Sequence, residues 1–197
     1  LPNLYNCAYL GACGVTVASG DNHFIYVQQP TATIAVDSWS REYGLANPTF
    51  TYTVSGAVLG DTLANVASGV PGTNAGIGSD VGQYPILGNF TSNAGYRLQI
   101  LPGVLTVTPA TLLFTADAVT RYLGMPNPPF GGAVTGFRNG DTLESVFGGA
   151  AVWSSPAGPL SPVGYYAING GTTAKNYVFA QAPSNATALH VIPLPNV

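Results

Sequence analysis

Charge is scarce in this chain. Five basic residues, of which Lys175 is the single lysine, and eight acidic ones make up 7% of the 197 positions, where an ordinary soluble domain has roughly 25%. Long solvent-facing helices, which draw on Glu, Lys and Arg, are therefore not expected. No run of Lys or Arg exists to neutralise a phosphate backbone, so nucleic acid is not expected as a partner, nor, for the same reason, is attachment to an anionic membrane surface. Gly, Thr, Asn and Ser break every apolar run well short of the roughly 18 residues a membrane-spanning helix needs, so no direct membrane insertion is expected. The chain opens at Leu1 without Met or a charged-then-apolar leader, as expected of a piece of a longer polypeptide.

Residues for catalysis are equally few. The two imidazoles, His23 and His190, are not accompanied by a nucleophile elbow, and His190 falls at an alternating position of a strand, where it reads as solvent-facing. Glycosidase chemistry needs two facing carboxylates; Glu42 with Asp37, or Glu144 with Asp141, stand out only because acids are so few. No catalytic residue, cofactor or metal site is assigned. The two cysteines, Cys7 and Cys13, flank a short stretch containing Gly11. The favoured reading is a small disulfide loop contributing roughly 2–3 kcal/mol of chain entropy, which suits an exported protein. The other reading, metal or thiol redox chemistry, lacks partner ligands and a Cys-x-x-Cys spacing.

What is plentiful is Gly (25), Pro (16), Tyr (11), Thr and Val, within 46% hydrophobic residues. This composition is that of a mostly β chain with many turns. Shifted by 80 positions, Arg41, Gly44, Asn47, Pro48, Phe50 and Val54 fall on Arg121, Gly124, Asn127, Pro128, Phe130 and Val134, and Gly60-Asp61-Thr62-Leu63 falls on Gly140-Asp141-Thr142-Leu143. Further on, Val81-Gly82-Gln83-Tyr84-Pro85-Ile86 matches Val163-Gly164-Tyr165-Tyr166-Ala167-Ile168, Tyr96 matches Tyr177, and Leu105–Pro109 matches Leu189–Pro193. The expected organisation is an N-terminal segment, 1–31, followed by two copies of one unit, 32–109 and 110–197.

Alternation in Thr51–Val54 and Leu105–Thr108 predicts strands with one buried face, of antiparallel type, and Ala110–Phe114 and Tyr177–Ala180 are further strands. A short helix is predicted at each Gly-Asp-Thr-Leu, with Asp61 or Asp141 as N-cap and Leu63 with Val66, or Leu143 with Val146, on one face. The expected fold is therefore two small β domains in tandem, each a sandwich or β-grasp-like sheet with one short helix. Only Pro109-Ala110 separates the last strand of the first copy from the next copy, which predicts a stiff, elongated arrangement.

The motifs Arg41-Glu42-Tyr43-Gly44-Leu45-Ala46-Asn47-Pro48, Gly60-Asp61-Thr62, Val81–Ile86 and Leu105–Pro109, repeated in order in the second copy, resemble the MBG repeat. One departure is that Leu123, preceded by Tyr122, stands where the first copy has Tyr43; another is Asn176 opposite Gly95. The family is mostly β and is strung in tandem along large bacterial surface and secreted proteins, including filamentous-haemagglutinin-like adhesins. The resemblance implies an extracellular or bacterial cell-surface location and a stalk or adhesive role. It also implies neighbouring repeats as partners, with a host glycan or surface protein as a possible ligand. Residues 1–31 match poorly and read as a cap or the degenerate end of a preceding repeat.

The duplicated polar residues have alternative readings. Asp61 and Asp141 are favoured as helix or turn caps over calcium ligands, which need six to eight oxygens. Arg41 and Arg121 are favoured as internal ties to carbonyls or an Asp over ligand capture. Tyr84 with Tyr166, Phe50 with Phe130, and Tyr96 with Tyr177 recur and read as shared packing, whereas Trp39, Trp153, Tyr165, Phe90 and Phe147 occur in one copy only. Trp39, Trp153 and Tyr165 are the candidate carbohydrate surface, since exposed aromatic rings stack on sugar faces.

Overall fold

A computed structural model describes residues 3–8, 13, 15, 23–171 and 173–195. The chain forms two compact units: the first takes the chain up to Arg41 with Ala46–Gly76 and Gly82–Val107, the second Glu42–Leu45, Ile77–Val81 and Thr108–Val197. The unit boundary thus departs from the repeat boundary, because two short stretches of the first repeat belong to the second unit.

Unit 1 begins with β1 (Asn3–Leu4) and β2 (Phe24–Ile25), which pair in parallel. Next come β3 (Thr31–Val36), β4 (Trp39–Glu42), β5 (Tyr52–Ser55), α1 (Leu63–Val66), β6 (Ser68–Gly72), β7 (Gly82–Thr91), β8 (Arg97–Leu101) and β9 (Gly103–Thr108). One sheet has the order β5-β3-β8, the other β4-β9-β7-β6. Strand β3 is antiparallel to β5 and parallel to β8. Alternate residues Ala32, Ile34 and Val36 of β3 are buried, together with Val66, Ile86, Leu105 and Val107. Each large aliphatic side chain buried in this way contributes roughly 1.5–3 kcal/mol.

Unit 2 repeats the plan with β10 (Ala110–Ala116), β11 (Val119–Tyr122), β12 (Gly132–Thr135), α2 (Leu143–Phe147), β13 (Trp153–Ser154), β14 (Gly164–Tyr166), β15 (Asn169–Gly170), β16 (Tyr177–Gln181) and β17 (Leu189–Ile192). Its sheets are β12-β10-β16, β11-β17-β14 and β13-β15. The position of the long β7 is taken here by two short strands, β14 and β15. A 3-10 turn, Pro183–Thr187, has no counterpart in the first repeat. Its Asn185 is 1% exposed, accepts from Ala116 N at 2.8 Å and donates to Phe114 O at 2.9 Å. Phe114 is surrounded by Phe147, Trp153 and Phe179 in edge-on contacts. A Cβ on Gly170 would lie 2.2 Å from the Phe114 ring, so this close approach requires glycine.

The two strands expected to be of antiparallel type are so, β5 against β3 and β9 against β7; elsewhere the sheets also hold parallel pairs, β10 with β16 and β11 with β17. One sequence expectation needs correction. The helices occur where predicted, yet their N-caps are Thr62 and Thr142, not Asp61 and Asp141. Thr142 Oγ accepts from Ser145 N and Ser145 Oγ accepts from Thr142 N, a capping box. Val66 is fully buried, but Leu63 is 55% exposed, so only one of the two predicted apolar positions of α1 faces inward.

Candidate functional site

The duplicated aspartates each sit at the centre of a tyrosine cluster. In unit 1, Asp61 Oδ2 accepts the phenol protons of Tyr96 at 2.6 Å and Tyr5 at 2.9 Å, and Oδ1 accepts from Asn3 Nδ2 at 2.7 Å. In unit 2, Asp141 Oδ2 accepts from Tyr177 at 2.6 Å and from Tyr43 at 3.0 Å. The two rings meet edge-on in both: Tyr5 and Tyr96 at 4.9 Å and 74°, Tyr43 and Tyr177 at 5.5 Å and 79°.

The local backbone explains the placement. Residues Val58–Asp61 and Arg138–Asp141 form turns closed by Asp61 N to Val58 O (3.0 Å) and Asp141 N to Arg138 O (2.8 Å). Their central residues, Leu59 and Gly60 or Asn139 and Gly140, all have positive φ, as a type I′ turn requires. Tyr96 and Tyr177 each take a second bond, accepting from Val58 N and from Arg138 N at 3.0 Å. Each phenol thus donates to the carboxylate and accepts from the turn that carries it.

Burial first, and then the bond to Asp141, raises the Tyr177 pKa to about 12. Tyr96 and Tyr5 are also raised, in both cases mainly by burial and then by Asp61. The carboxylates are met by O–H and N–H donors, whose polarity is opposite to that of a calcium site, so the calcium reading is not supported either. Among the described residues no cluster of three or more His, Cys, Asp or Glu could hold a metal ion.

Around the second cluster, Glu42 pairs with Arg138 at 3.3 Å. A Cβ on Gly44 would lie 2.4 Å from Arg138 Cβ, so this close approach, with φ +77°, fixes glycine there. Asp80 accepts from Lys175 at 2.6 Å and from Asn176 Nδ2 at 2.8 Å, and Asn176 Oδ1 accepts from Val81 N. The Lys175 bond lowers the Asp80 pKa. These contacts account for Asn176. Its counterpart Gly95 has no room for a Cβ, which would lie 2.4 Å from Tyr5 O.

The duplicated arginines are internal ties. Arg41 Nε donates to Asn47 Oδ1 at 2.7 Å and Nη2 to Gly76 O, while Asn47 Nδ2 donates to Ala75 O. Arg121, 5% exposed, does the same with Asn127 and Gly158 O, and Asn127 with Ala157 O. Gly124, like Gly44, has positive φ, and Pro48 and Pro128 follow the tied asparagines.

Of the recurring tyrosines, Tyr84 and Tyr166 are half-buried; Tyr166 packs on the second core and donates to Pro162 O. Among the candidate surface aromatics, Tyr165 is 63% exposed and stacked on His190 at 4.2 Å, and Trp39 is exposed at the start of β4. Trp153 is instead half-buried, edge-on to Phe114 and packed on the second core. Phe147 packs in the same aromatic group and Phe90 on Tyr52. Cys7 and Cys13 are joined in a disulfide. Of the acid pairs, Glu42 is engaged by Arg138, Asp37 by Thr51 Oγ1 and Asp141 by the two phenols.

Sequence reasoning did not single out Tyr5 or the joining of Tyr43 to Asp141. The available signal was the joint recurrence of Gly-Asp-Thr and of Tyr96/Tyr177. No curated protein and no solved structure matches this chain. A family model, the MBG domain (YGX type), matches residues 32–106 and again 112–187. With the aspartate clusters and arginine ties present in both copies, the chain belongs to the MBG domain family and carries that domain twice in tandem.

Proposed function

We propose that this chain is a non-catalytic, adhesin-like repeat module of a large bacterial cell-surface or secreted protein, acting as a stiff stalk. The observation that carries this reading is the use of the duplicated polar groups. Arg41, Asn47, Asp61 and Tyr96, and their counterparts Arg121, Asn127, Asp141 and Tyr177, are bonded to one another or to backbone groups. What the repeat duplicates is a structural frame, not a reactive constellation. The short Pro109-Ala110 joint leaves little chain for a flexible linker, which supports stiffness. Protease shaving of intact cells of the source organism is expected to release peptides of this chain; recovery from the cytosol alone would overturn the location.

A second reading, carbohydrate binding, has one observation in its favour. Tyr165 offers an exposed ring already held flat by His190. Binding on a glycan array that is lost with Tyr165→Ala supports this reading, and an array without signal removes it.

A further inference from the structure

The N-terminal segment carries a tyrosine turn like that of the first repeat. In unit 2, β11 runs parallel to β17 with Arg121 opposite Val191 and Tyr122 opposite Ile192. In unit 1, β1 runs parallel to β2 with Asn3 opposite Phe24 and Leu4 opposite Ile25. The strand pairings themselves differ, since Tyr43 N and Leu123 N bond Thr108 O and Ile192 O of the closing strand whereas Tyr5 N bonds Ala94 O, and Phe24 is exposed where Val191 is buried; the likeness lies in Tyr5-Asn6 against Tyr43-Gly44. The backbone agrees: Asn6 has φ +57°, Gly44 +77° and Gly124 +82°. Asparagine is the non-glycine residue that best tolerates this region. The side chain agrees as well, since Tyr5 meets Asp61 and Tyr96 as Tyr43 meets Asp141 and Tyr177. In the first repeat residues 45–102 lie between this turn and β9; in the N-terminal segment only residues 7–23 lie between Asn6 and β2, and the Cys7–Cys13 disulfide lies within them.

We propose that Asp61 and Tyr96 form a docking socket for the tyrosine of a Tyr-Gly turn of an MBG-type module, and that Tyr5 of the N-terminal segment fills it. The ligand class is a tyrosine phenol carried on a left-handed turn. Tyr5 is the built-in occupant, so the first socket is closed to the tyrosine of any other module. This inference concerns what the socket accepts, and holds whether the repeats serve as a stalk or as a binding tip.

The test uses the full chain with Tyr5→Gly, which vacates the phenol's place, and p-cresol as the probe. At about 5 mM, p-cresol is expected to raise the Tm of Tyr5→Gly by several degrees, at least about twice the shift with toluene, which lacks the hydroxyl. Wild type, with its socket filled, gains neither shift, and adding Asp61→Asn reduces the p-cresol effect to that of toluene. An equal response of wild type and Tyr5→Gly, or an advantage of p-cresol that survives Asp61→Asn, overturns the proposal. Should Tyr5→Gly fail to fold, position 6 decides instead. Asn6→Gly, which restores the residue of Gly44, is expected to keep the wild-type Tm, and Asn6→Val to lower it by several degrees. Equal melting of the two variants overturns the equivalence of the turns.

Discussion

Tyr177 donates its phenol proton to Asp141 at 2.6 Å, the same distance at which Tyr96 meets Asp61 one repeat earlier. Because Tyr177 also accepts from Arg138 N, its hydroxyl is satisfied on both sides. Ionising it would place a second negative charge against Asp141 and lose a donor.

The sign of the pH dependence follows. The folded pKa of Tyr177 is raised to about 12 from the ordinary tyrosine value of 10.0. Its contribution is fully present below pH 10 and is lost as pH rises towards 12, because the unfolded chain releases the proton first. Guanidinium unfolding at stepped pH is expected to show stability falling across this window, with a smaller fall in Tyr177→Phe. An identical fall in that variant would assign the effect to other groups. At pH 7, Tyr177→Phe is expected to cost about 1–2 kcal/mol.

Leu59 and Asn139 occupy the same turn position with φ +53°. Leucine is strained there, and Leu59 is 65% exposed, so its replacement sacrifices little burial. Leu59→Asn is expected to raise stability by about 1 kcal/mol, and Asn139→Leu to lower it by about as much, measured by chemical denaturation.

Arg121 bonds Asn127 and the carbonyls of Tyr122 and Gly158 through one planar fork. Lysine keeps the charge but cannot reach these acceptors in that geometry. Arg121→Lys is expected to cost about 2–4 kcal/mol and Arg41→Lys a similar amount, each read as a shift of the denaturation midpoint.

For the disulfide, thiol titration of the unfolded, unreduced protein is expected to find no free thiol. Reduction is expected to destabilise the N-terminal segment by about 2 kcal/mol, the chain-entropy value for so short a loop.

Much of this frame is legible in the sequence, for reasons particular to certain residues. The repeat of Gly60-Asp61-Thr62 at Gly140-Asp141-Thr142 located both helices, and alternation in Leu105–Thr108 located a strand with its buried face. The direction of pairing was not legible, since β3 would show the same alternation whether it met β8 parallel or antiparallel. Nor was the bond from Tyr43 to Asp141, because 98 positions separate the two residues and no periodicity links them. Strands β1 and β2, at two residues each, are too short to carry a pattern, so the likeness of Tyr5-Asn6 to Tyr43-Gly44 emerges only from the contacts of the phenols and from backbone conformation. Asp61 was read as a cap because the turn places it one residue before the capping Thr62; its phenol partners lie far off in the chain.

The proposal of a stiff stalk built from two linked MBG domains is tested most directly by small-angle X-ray scattering of the full chain. A compact globule of this length has a radius of gyration of about 16 Å. The account predicts a value well above that, with a distance distribution typical of a single elongated particle. A value of about 16 Å, or a distribution requiring many interdomain angles, would contradict it.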